Sequence, residues 1–138
     1  MSKYETYNGL VDIELNCFED LQGLILSKVV VDDEVEEIRF YLTDTHYAAL
    51  HHNQDCCEHV YIESIVGDLN DLIETPLLLV EESISTPAEE DSYESATWTF
   101  YRFRTIKGSV DIRWVGESNG YYSESVDFRV VKGETEDV

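Results

Sequence analysis

Positions 51 to 59 read HHNQDCCEH, which places three histidines, two adjacent cysteines and two acids within nine residues. These side chains suit zinc, which takes four ligands from Cys, His and sometimes Asp or Glu in a tetrahedron. Three residues separate His52 from Cys56, and the intervening Asn53, Gln54 and Asp55 are turn formers. A turn can aim the sulfurs of Cys56 and Cys57 at one point where a strand cannot. Asp55 then closes the tetrahedron, with His51, His46, His59 and Cys17 as competitors. His51 and His52 face opposite sides of an extended strand, so only one of them belongs to the set. The expected centre is a structural Zn2+ held by His52, Asp55, Cys56 and Cys57, with no open position for water. The spacing is not the paired CxxC of zinc fingers, and the rival reading is two buried thiols beside surface histidines. A redox pair ranks lower. The N-terminus MSKYETYNGL lacks the features of a signal peptide, which points to a reducing cytoplasm. Adjacent cysteines can bond only through a strained eight-membered ring.

Other chemistry finds less support. There is no GxSxG elbow, Walker loop or dinucleotide fingerprint, and Gly108, Gly116 and Gly120 fall at expected hairpin turns. No carboxylate pair stands out as a glycosidase-like acid and base. Enzyme activity is not expected; its remaining form is a metalloenzyme with an open zinc position and Glu58 as base. Arg102, Arg104 and Arg113 interleave with aromatics. With Trp98 and Trp114 they suit a module that sequesters a small nucleotide immune signal. The favoured reading pairs these arginines with the chain's own acids.

The elements that must position these residues read as α+β, dominated by an antiparallel sheet with one or two short helices, in one domain over 1–138. Residues 18–24 suit a short helical turn with Asn16 as cap. Residues 24–31 and 35–42 read as strands joined by Asp32, Asp33 and Glu34, and 47–52 as a third. Ile65, Val66, Leu69, Leu72 and Ile73 recur at helical spacing behind Ser64, ending at Pro76, and 77–84 reads as a buried strand. Residues 85–95 read as an exposed loop and 132–138 as a frayed tail. The C-terminal third reads as a meander. Thr97, Thr99, Tyr101 and Phe103 share one face of its first strand; Trp98, Phe100, Arg102 and Arg104 share the other. Val110, Ile112 and Trp114 alternate in the next strand, and Asn119-Gly120 signals a hairpin into 122–130.

Thirty acids against nine bases give a net charge of −21. Such a field repels nucleic acid and anionic membranes and steers basic partners inward. No Lys or Arg occurs from Phe40 to Tyr101, and six of the nine bases fall between Arg102 and Lys132. Glu81, Glu82, Glu89, Glu90, Asp91 and Glu94 are the candidate contacts for a basic partner; a solvated surface explains them equally well.

HNQDCCEHVYIESIVGDLNDLI and WTFYRFRTIKGSVDIRWVGESNGYYSESVDF together resemble a family of small phage and prophage proteins with a recurring H-x-Q-D-C-C-E pattern. His52, Gln54, Asp55, Cys56, Cys57 and Glu58 match that pattern, and the match favours His52 over His51 as ligand. In overall character the chain also looks like the zinc-containing type II-A anti-CRISPR proteins of streptococcal phages. That resemblance implies a phage-encoded inhibitor in the host bacterial cytoplasm. Its partner would be the type II CRISPR effector nuclease, which holds its nucleic acids in basic channels. The acidic surface would then block target DNA loading without catalysis.

Overall fold

The computed structural model describes residues 15–43, 45–85, 95–119 and 122–132. Two four-stranded antiparallel sheets are formed there. The first contains β1 (Lys28–Asp32), β2 (Glu37–Tyr41), β3 (His46–His51) and β8 (Asp127–Lys132), in the order β1-β2-β3-β8. The second contains β4 (His59–Val66), β5 (Leu79–Ser85), β6 (Ser95–Arg104) and β7 (Ser109–Ser118), in the order β4-β7-β6-β5. Helix among the described residues is limited to two 3-10 turns, Phe18–Leu21 and Leu69–Leu72. The expected antiparallel sheet is present, while the helical share of an α+β fold shrinks to these turns.

Period-two alternation explains the core. Ile38, Phe40, Ala48 and Leu50 from the first sheet and Tyr101, Phe103, Val110, Ile112 and Trp114 from the second are buried in one apolar cluster. Phe18, on the first 3-10 turn, joins the sheets. Its ring meets Tyr101 at 4.5 Å, Phe103 at 5.3 Å, Phe128 at 6.1 Å and Phe40 at 6.2 Å between centroids, all edge-on. Edge-to-face pairs of this kind contribute about 1 kcal/mol each beyond the area they bury.

Four expectations are corrected. The helix over 64–73 is not formed: β4 runs on through Ser64 and Ile65 to Val66, with a register shift between Ile62 and Ser64. Gly67, at φ +113°, ends it, where any Cβ would run into the Ser109 backbone. Asp68 then caps the short turn by accepting the Asn70 N–H at 2.9 Å. The helical spacing was thus divided between a strand end and a 3-10 turn. The strand expected to be buried over 77–84 is instead β5, an edge strand with Glu81, Ser83, Ile84 and Ser85 exposed.

The meander stops after β7, because β8 crosses to the first sheet and pairs with β3. Gly116 lies within β7, not at a turn, and the backbone at Glu124 passes directly over it, where a Cβ would collide. The Glu124 carboxylate pins this crossing by accepting from Thr97 Oγ1 at 2.6 Å and Ser118 Oγ at 2.5 Å. Gly120, half of the expected hairpin, lies outside the described residues. Among the described residues no helix is long and apolar enough to cross a membrane.

Candidate functional site: a disulfide loop and an acidic sheet edge

Residues 52–58 form the crossing from β3 to β4, so the HHNQDCCEH stretch joins the two sheets. Its centre is Glu58, buried at 3 % exposure. One oxygen, Oε2, accepts the Asp55 N–H at 2.7 Å and faces His52 Nε2 at 2.8 Å; the other accepts the Cys56 N–H at 3.0 Å. The Cys56 N–H chiefly, then His52 and the Asp55 N–H, outweigh burial and hold this carboxyl down at about 2. His52 Nδ1 meets the Ser125 carbonyl at 2.8 Å. Both ring nitrogens therefore face oxygen atoms. Gln54 Nε2 donates to the carbonyls of Cys56 and Glu58. His52 ties together the two crossings, 52–58 and the segment leading into β8.

With the amides of residues 55 and 56 turned inward to Glu58, the cysteine side chains lie outward. Cys56 and Cys57 are exposed and form a disulfide with each other. The expectation that they stay as thiols is thereby corrected. A bend places neighbouring side chains on one side, whereas a strand separates them. In this arrangement His52, Asp55, Cys56 and Cys57 do not fit a tetrahedral zinc: the sulfurs are bonded to each other and both His52 nitrogens are engaged. The competing ligands are dispersed. His46 sits at the far end of β3 against Thr43 and Thr45, and His51 is buried on the outer face of the first sheet. His59 stacks on Tyr61 at 4.3 Å, and Cys17 is an exposed free thiol beside the first 3-10 turn.

Of the six acids expected to meet a partner, Glu81 and Glu82 lie on β5, while Glu89, Glu90, Asp91 and Glu94 lie outside the described residues. Glu81 stands opposite Arg102 and within 3.8 Å of it, both half-exposed. Glu82 accepts the Tyr101 hydroxyl at 2.8 Å, and burial pushes that phenol's pKa up. A further acid, Glu19, joins them. The first 3-10 turn docks on the β5 edge, where Gln22 Oε1 accepts the Val80 N–H at 3.0 Å and Glu19 Oε2 the Glu82 N–H at 3.2 Å. Glu19 is thus brought beside Glu82, while the Asp20 carboxylate turns back onto the Asn16 and Cys17 amides, which hold it below its usual range. The only sequence signal was the pattern of Phe18-Glu19-Asp20-Leu21, buried at both ends and exposed between.

Arg102, Arg104 and Arg113 do share an outer sheet face with Trp98 and Phe100, but Trp114 belongs to the core. Arg102 lies 3.5 Å from Asp111 as well as near Glu81, and Arg113 meets Glu63 at 2.8 Å. The favoured pairing with the chain's own acids describes Arg102 and Arg113. The model of one family, a domain of unknown function (DUF7448), matches residues 22–128. No curated protein and no solved structure matches the chain.

Proposed function

The chain belongs to the DUF7448 family, and we propose that it is a non-catalytic inhibitor that occupies a basic, nucleic-acid-binding surface of a partner protein. The partner nominated by the resemblance to anti-CRISPR proteins is the type II CRISPR effector nuclease, acting in the host cytoplasm. The observation that carries the proposal is the charge imbalance: −21 overall, with Arg39, Arg102, Arg113 and Arg129 each tied to acids of the same chain. Neutralised cations leave the remaining carboxylates to set the field, which attracts a basic channel and repels DNA. Glu19, Glu81 and Glu82 belong to the contact surface in this reading, and Glu89, Glu90, Asp91 and Glu94, which lie outside the described residues, are its other candidates. Zinc belongs to the proposal only for a chain in which Cys56 and Cys57 are thiols. Less than half an equivalent of zinc in reduced, carefully purified protein counts against it.

The test is DNA cleavage by a streptococcal type II effector with this protein added before or after target DNA. Inhibition only when it is added first is expected, since the edge competes with DNA loading. Neutralising Glu19, Glu81 and Glu82 together to Gln keeps the acceptor oxygens and is expected to weaken inhibition about tenfold, equivalent to about 1.4 kcal/mol. Raised salt weakens it further. Absence of inhibition across several orthologues at low salt overturns the proposal.

A further inference from the structure

We propose that Cys56 and Cys57 form a reversible, solvent-facing dithiol/disulfide couple, a redox site on which the fold itself does not depend. Three observations converge on this, none of them requiring the inhibitor reading. First, the bond joins adjacent residues. A disulfide stabilises mainly by closing a chain loop, and its effect grows with loop length. One that spans a single peptide bond closes almost nothing, so stability does not explain it. Second, both cysteines are exposed at the tip of the crossing, where a reductant can reach either sulfur. Third, the loop is braced by groups other than sulfur. Glu58 holds the amides of Asp55 and Cys56, Gln54 holds two carbonyls, and His52 anchors the whole to Ser125. None of these contacts is made by a sulfur atom.

The co-reactant is a dithiol. One of its thiolates bonds to one cysteine sulfur as the Cys56–Cys57 bond breaks, and the departing sulfur takes up a proton. The second thiol of the reductant then attacks the mixed disulfide, closing its own S–S bond and releasing the other cysteine as a thiol. Two electrons and two protons pass to the chain, and the dithiol leaves as its disulfide. The product is two adjacent thiols on a fixed loop, the form to which a thiophilic metal ion would bind.

The experiment uses the full chain carrying Cys17→Ser, equilibrated in graded ratios of reduced to oxidised dithiothreitol. It is quenched with a maleimide, read by intact mass, and followed in parallel by thermal melting. A single reversible transition from no label to two labels per chain is expected, with one cooperative melt at nearly the same temperature in both forms. A Cys56→Ser/Cys57→Ser chain is expected to melt with the reduced form. Two labels at every ratio, a transition that does not reverse, or loss of the cooperative melt on reduction each overturn the proposal. A large loss of stability in the double-serine chain does so as well, since the bond would then be structural.

Discussion

The outer faces of the two sheets are built from the same ingredients and behave differently. On the first, Arg39, Ala49 and Arg129 stand side by side across β2, β3 and β8. Both guanidiniums converge on Glu37, at 2.6 Å from Arg39 and 3.2 Å from Arg129. The small Ala49 between them, fully buried beneath these side chains, leaves them room. Tyr41 and Tyr47 pack at 4.8 Å, with Lys28 over one ring and Arg39 over the other. Glu37 is only 6 % exposed. On the second face, Arg102 and Arg113 meet Glu81, Asp111 and Glu63 in the open. Burial, not the number of charge pairs, decides which face holds the fold together.

Glu37→Ala gives the largest expected effect. It strands two guanidiniums that are partly solvated, so the loss is about 2 kcal/mol, below the range of about 3–5 for a fully buried pair. Chemical denaturation measures it, and a loss near zero would put the two faces on a par. Glu58→Gln follows, with a melting temperature lowered by several degrees. Glu58 is held at about 2 against an ordinary 4.5, so its contribution is complete above pH 4.5 and disappears as pH falls towards 2. The variant is expected to flatten the acid limb of stability over that window.

A smaller effect belongs to His51. Burial first, and Arg129 second, push its pKa below 6.5, against the opposing pull of Asp127 and Glu37. The folded chain therefore resists protonating it, and its stability declines as pH drops below 6.5. His51→Gln should reduce the difference in stability between pH 7 and pH 5, as read by thermal melting. The smallest effect is Arg113→Ala, under about 0.5 kcal/mol and vanishing in high salt, because Arg113 and Glu63 are both open to solvent.

What could be read in the sequence follows from how local its cause is. β6 was legible because Tyr101 and Phe103 alternate with Arg102 and Arg104, and that alternation is the sheet's own period. The acidic turn between β1 and β2 was legible for the same local reason. The partner of β8 was not, since a strand's alternation says which face is buried but not which neighbour it joins. Glu124 over Gly116 and His52 against Ser125 direct that choice, and both act between residues distant in the chain. The HHNQDCCEH stretch was legible as a turn and as a focus of chemistry. Which of its groups meet depended on Glu58 gathering backbone amides, an interaction that residue spacing does not encode. The acidic group on β5 was half legible, in Glu81 and Glu82; Glu19 joined it through tertiary docking.

The return of β8 to the first sheet bears on how the chain is made. β3 emerges from the ribosome early, yet the strand that completes its free edge comes near the end of the chain, after the whole second sheet. Until then β3 offers unpaired amides and carbonyls, a template for any passing strand. Closure across so long a separation is also slow. A chain cut just short of Asp127 would keep every strand of the second sheet beside an open three-stranded one, and would be vulnerable to pairing with its neighbours.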